Sequence, residues 1–228
     1  MRRFTLIIGV TLTLLLSILS CTTELPPAQS YKLQPETTEQ TIELKLPFKD
    51  NHEPEGIMPM GETVNHPPPK GHPGIDFQWS YKEAEIIVSL DGVVGDMITE
   101  VSPVDGDTID IITVVTGNFG VMYEVVDLSS FNPNLQIGDE LVAGMILGYP
   151  QPIPSSTWRM IHWGFGKVFE NTGRVASPEG VITNYYWDWL CPMGYFTESE
   201  RLRLERIWVT ASYGEKDEFP NLCNGYYE

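Results

Sequence analysis

Gly71-His72-Pro73-Gly74-Ile75-Asp76-Phe77 and Met160-Ile161-His162-Trp163-Gly164-Phe165 are the two stretches on which both fold and chemistry turn. The first sets an imidazole and a carboxylate four residues apart. The second carries another imidazole on an alternating run. On an extended strand Met160, His162 and Gly164 share one face, and Ile161, Trp163 and Phe165 share the other. The apolar set belongs in a core, which turns His162 toward a groove. Two imidazoles and one carboxylate are a donor set that holds zinc and leaves a further position to water. Taken alone, His162 reads first as a core histidine bonded to backbone, and H-x-x-x-D by itself carries little information.

The sequence around these stretches is patterned for strands. Residues 85–90, 109–116, 121–126 and 141–147 are rich in Val and Ile. Asp91-Gly92, Asp105-Gly106, Gly117-Asn118 and Gly138-Asp139 punctuate them as turn signals. Helical periodicity is absent there. Short strands with regular turns predict an all-β, antiparallel domain. One helix is expected near the C-terminus. Thr197-Glu198-Ser199-Glu200 has the form of a capping box, followed by Leu202, Leu204, Ile207 and Trp208, which predicts a helix over about 198–208.

Four pieces, in order, resemble the lysostaphin-type (LytM-like) zinc endopeptidases, which cut peptide cross-links in bacterial cell walls. They are the segment 58–77 ending in His-Pro-Gly-Ile-Asp-Phe; Leu90-Asp91-Gly92-Val93-Val94, similar to the family's "A-x-x-D-G-x-V"; residues 137–148, similar to its "V-x-x-G-x-x-V-x-x-G-x-x-I-G" hairpin; and Ile161-His162-Trp163, similar to the end of its "H-x-H-F" strand. The resemblance covers roughly residues 56–170. It implies a folded antiparallel sheet with Zn²⁺ held in a groove by His72, Asp76 and His162. One register stays open: His162 can also match the first histidine of H-x-H, which puts Gly164 at the ligand position.

The family carries two further histidines beside its metal. At the corresponding positions stand Asp127, followed by Leu128, and Met160. Met160 can neither take a proton nor donate to an oxyanion. Asp127 can accept a proton, as a substitute catalytic residue, but as an anion it repels an oxyanion; it is otherwise a solvated loop residue. Losing an oxyanion donor costs ~10²–10³ in rate, and losing a general base about 10²–10⁴. Glu124 and His66 are the other side chains that can substitute. His66, beside Pro67-Pro68-Pro69, is either a further ligand or a solvent-facing loop histidine. The expected function is therefore an envelope protein that keeps the zinc triad and binds peptidoglycan peptide or a protein partner with weak or no hydrolysis. The alternative is an active zinc peptidoglycan endopeptidase with substituted catalytic residues. A third class is a structural β domain without metal.

The chain has 228 residues, with 14 Lys plus Arg against 31 Asp plus Glu, a net charge of −17. Such a surface excludes nucleic acid as a partner, since phosphate binding needs a basic face. It equally excludes electrostatic docking on anionic lipid. Membrane attachment is expected through a lipid instead. Arg2 and Arg3 precede an apolar run, and Ile18-Leu19-Ser20-Cys21 resembles a bacterial lipobox. The run is short for a spanning helix and ends as a processed signal does. Thr22 after the cysteine implies the outer membrane where a cell has two, and otherwise the extracytoplasmic face of the cell membrane.

With Cys21 lipidated, Cys191 and Cys223 are left as a pair for an oxidising compartment. The expected organisation is a signal peptide over 1–20, a polar tether over 21–55, the peptidase-like β domain over 56–185 and a C-terminal extension over 186–228. Within the tether, residues 41–46 alternate weakly, as one strand would. Tyr185-Tyr186-Trp187-Asp188-Trp189 is dense in aromatics and suits either packing on the sheet or stacking on sugar rings. Replacing Cys21→Ser is expected to release the protein from membranes or block its processing, as membrane fractionation and the mass of the N-terminus would reveal.

Overall fold

The computed structural model describes residues 41–63, 66, 71–101, 108–124, 126–128, 134–153, 156–176, 182–212, 216 and 220–223. Cys21, the signal and the tether up to residue 40 lie outside them, as does Asp105-Gly106. The all-β expectation holds: antiparallel strands build the domain, with one short helix near its C-terminus.

The strands are β1 (Gly56–Met58), β2 (Ile75–Trp79), β3 (Ile86–Ile87), β4 (Gly92–Val101), β5 (Thr108–Thr116), β6 (Phe119–Glu124), β7 (Val126–Asp127), β8 (Glu140–Leu141), β9 (Ile146–Pro152), β10 (Arg159–Ala176) and β11 (Ile182–Trp189). The main path runs β1-β2-β10-β6-β5-β4-β8. β10 is the axis of this sheet. Along one edge it pairs first with β2 and then with β11; along the other, first with β9 and then with β6. The turn signal Gly117-Asn118 closes the β5–β6 hairpin, with Thr116 opposite Phe119.

The alternation of β10 sorts its side chains as its sequence demands. Ile161, Trp163 and Phe165 are essentially buried. Their cross-strand neighbours Phe77, Ile75, Tyr123 and Val121 share their face and are buried with them. Beneath this layer a small polar network is fully satisfied. The Trp163 Nε1–H donates to Ser89 Oγ at 3.1 Å, and the Ser89 N–H donates to the Tyr123 hydroxyl at 2.6 Å. Burial pushes the Tyr123 phenol up to about 12, so it stays a neutral partner.

The polar stretch before β1 departs from expectation. From residue 42 it is part of the domain and no tether. Ile42, Leu44, Leu46 and Phe48 alternate into the core, and Leu44 bridges Phe196. The physical reason lies far along the chain. The helix α1 (Glu198–Thr210) turns Arg203 toward this stretch. Its guanidinium donates to Lys49 O at 2.8 Å, Asp50 at 3.0 Å and Glu53 at 3.2 Å, and sits 5.0 Å from the Phe48 ring centre. A buried guanidinium needs such acceptors. The helix is capped by Thr197, whose Oγ1 accepts from the Glu200 N–H at 3.4 Å, and it buries Leu204, Ile207 and Trp208.

Residues beyond 185 are likewise integral. β11 pairs with β10 through Tyr185 and Trp189, and the segment after it enters a single turn of 3-10 helix (Pro192–Gly194). Cys191 is joined to Cys223 by a disulfide, with Cα atoms 5.7 Å apart. The bridge holds Leu222, which is buried and whose carbonyl accepts from the Met60 N–H at 3.0 Å. Closing a loop across 32 residues restricts the unfolded chain. Replacing both cysteines by Ala is expected to lower the unfolding free energy by about 3–4 kcal/mol, measured by equilibrium urea denaturation under oxidising conditions.

Candidate metal centre

Register delivers the site. The β2–β10 pairing sets Asp76 directly opposite His162. Cross-strand partners project from the same face, so both side chains enter the groove side by side. His72 arrives from the loop just before β2. The Gly61 N–H donates to His72 O, and the His72 N–H donates to Glu62 O, both at 2.8 Å. These bonds cinch the loop. Gly71 closes it with φ +71, where an added Cβ would fall 2.6 Å from two carbonyl oxygens.

The three side chains converge. His72 Nε2 lies 2.9 Å from His162 Nδ1 and 3.1 Å from Asp76 Oδ1, and His162 Nδ1 lies 2.9 Å from Asp76 Oδ1. All three residues are buried. They are the one group of this kind among the described residues. His72 Nδ1–H donates to Pro59 O at 3.1 Å. That bond commits Nδ1 and turns Nε2 into the cluster, as an N–H toward Asp76 when the imidazole is protonated and as a lone pair for a metal when it is not. Burial alone would push the Asp76 carboxyl up. The neighbouring His72, with hydrogen bonds from both imidazoles, outweighs burial and holds it well below the usual carboxylate range. The site thus offers an anionic oxygen and two nitrogens, close enough together to share one ion at zinc's bond lengths of about 2.0–2.2 Å. The donor set fits zinc, and three protein ligands leave an open position.

Glycine makes room for the second imidazole. A Cβ on Gly74 would fall 2.8 Å from both Cε1 and Nε2 of His162. The role of Gly74 lies in this close approach alone. Pro59, within the segment that carries the resemblance, acts through its backbone carbonyl, the acceptor for His72. The open register also resolves. A Cβ on Gly164 would meet the Trp189 ring at 2.5 Å, so a side chain at 164 has no space and His162 is the residue in the cluster. Trp189 is buried and stacks on Trp187, with ring centres 4.3 Å apart. That part of the aromatic run is packed against the sheet, while Tyr186 is exposed.

The remaining candidates fall around this centre. Met160 lies on the same face as His162, half-buried, and its sulfur accepts from Gln78 Nε2 at 3.9 Å. Glu124 is the cross-strand partner of His162 on the side away from Asp76. Asp127 is described by its backbone alone, on β7 opposite Tyr149 of β9. His66 is outside the three-residue group. Its ring centre is 4.5 Å from that of His72, and its Nδ1 lies 3.0 Å from Glu62 Oε2.

No family model matches the chain, and no curated protein does. Solved structures do. Csd3 of Helicobacter pylori is similar at 20% identity and a TM-score of 0.42, over 73% of this chain and 39% of its own. This chain thus spans well under half of Csd3. The catalytic domain of the prophage-encoded protein EnpA from Enterococcus faecalis, as a point mutant, is 18% identical with a TM-score of 0.38, over 59% of this chain and 95% of its own. The catalytic domain of the antimicrobial peptidase lysostaphin from Staphylococcus simulans is 17% identical with a TM-score of 0.36, over 61% and 87%.

Replacing Gly74→Ala, whose Cβ would also fall 2.6 Å from Trp163 O, is expected to shift β10 at that point, displace the His162 ring and weaken zinc binding at least tenfold, as chelator competition would report.

Proposed function

We propose that the chain is a cell-envelope lipoprotein whose LytM-like domain holds Zn²⁺ through His72, Asp76 and His162 and binds peptidoglycan peptide with weak or no hydrolysis. One observation carries this: the three ligand atoms lie 2.9–3.1 Å from one another, while Met160 occupies the neighbouring groove-facing position. When bound, zinc supplies Lewis-acid polarisation of a carbonyl and activation of water. The chain's own residues then limit the rate. Met160 offers a thioether where a proton acceptor or oxyanion donor would act. A ligand set kept without those partners suits peptide capture, in which an extended segment lies along the groove.

A second reading has its own support. Glu124 stands opposite His162 on the same face. A carboxylate at that position can take a proton, so a peptidase with a substituted base is the alternative. A protein partner of the envelope, in place of wall peptide, would use the same groove.

Purified protein is expected to bind about one zinc per chain, and His72→Ala or His162→Ala to abolish it. Wall digestion is expected to be absent or far below that of an intact lysostaphin-type enzyme. Met160→His combined with Asp127→His is expected to raise cleavage. Robust zinc-dependent digestion by the unmodified protein, lost in Glu124→Gln, would select the second reading.

A further inference from the structure

Glu62 is a carboxylate with no solvent exposure, placed beside a metal-type cluster in which it is not a ligand. Burying such a group is costly unless it is hydrogen-bonded. Its side chain faces His66, at 3.0 Å between Oε2 and Nδ1. His66 keeps 30% of its side chain exposed, against 2% for His72. The two rings lie with centres 4.5 Å apart and planes 34° apart. His66 is thus a plate between His72 and solvent, fixed from behind by a buried acceptor.

We infer that Glu62 and His66 are positioning residues for the metal centre: the carboxylate fixes the His66 ring, and that ring holds His72 in its coordinating orientation. His72 is otherwise held at its two ring nitrogens, by the Nδ1–H bond to Pro59 O and by the contacts of Nε2 with His162 and Asp76. Such contacts act at the edge of the imidazole. The His66 ring, tilted 34° to it, adds a contact between the rings themselves. The paired bonds between Gly61, Glu62 and His72 bring both ends of the segment together, and Gly71 permits the closure. Glu62 takes part twice, through its backbone carbonyl to His72 and through its side chain to His66. One residue therefore ties the ligand's main chain to the plate over its side chain. Partners outside the ligand set commonly tune metal affinity by about 10–100-fold.

The inference rests on the zinc reading, and the test keeps the two apart. Zinc affinity of the full chain is measured by competition with a chromophoric chelator, alongside thermal unfolding of the metal-free protein. His66→Ala is expected to bind zinc about tenfold more weakly, with metal-free unfolding within a few degrees of the parent. Glu62→Ala is expected to lose at least as much. Glu62→Gln, which still presents an oxygen to the Nδ1–H, is expected to stay within about threefold of the parent. A merely structural loop would shift unfolding and show no such rescue. If the parent binds zinc stoichiometrically and His66→Ala binds it equally well, the positioning role is overturned while the metal centre stands. If the parent binds no zinc, the metal centre itself falls.

Discussion

The antiparallel pairing of β2 with β10 places His162 opposite Asp76, and everything else in the molecule is arranged around that register. A slip by one residue would set Asp76 opposite Ile161 or Trp163 in place of His162, so that one of the two strands would turn its apolar set out of the core. The core therefore enforces the chemistry. Ile161, Trp163 and Phe165 cannot leave their buried face without large loss of apolar burial, so His162, between them, cannot leave the groove. The stability of the sheet and the geometry of the metal centre are one constraint expressed on two faces of a strand.

Much of this was legible in the chain itself. The alternation at 160–165 gave the two faces, the Gly117-Asn118 signal gave a hairpin, and Thr197 gave the helix start. What escaped did so for identifiable reasons. Ile42, Leu44, Leu46 and Phe48 alternate among charged and polar residues, and the groups that cover them, Phe196 and Arg203, lie some 150 residues on. Local patterning cannot see such a partner. Residues 85–90 looked like one strand, but only Ile86 and Ile87 ladder as one, since Val88 instead bonds the turn at Gly144 and Met145. The run at 185–189 is aromatic on both faces, which hid the alternation that sends Trp189 onto Gly164.

Around the centre, the same limit applies. His72, Asp76 and His162 were visible because two motifs carried them. Gly74, Pro59 and Glu62 act through a missing Cβ, a backbone carbonyl and a loop contact. None of these leaves a periodic or compositional trace. Residues that bind chemistry directly are constrained in type, whereas residues that hold them are constrained in position, and a lone sequence records type far better than position.

The bracket between Leu222 and Met60 has a bearing on how the molecule comes into being. Synthesis is vectorial, and both imidazoles are made well before the last residues emerge. Pro59, the acceptor that orients His72, adjoins Met60, whose amide donates to the carbonyl of Leu222, next to the Cys191–Cys223 bond. A nascent chain thus possesses every ligand while its coordinating loop still lacks its final brace. Contacts of such long sequence separation form late, because their closure entropy is the largest. The loop that carries His72 thus gains this brace when the polypeptide is finished and oxidised, and a nonsense truncation near the C-terminus would loosen it while leaving His72, Asp76 and His162 in the chain.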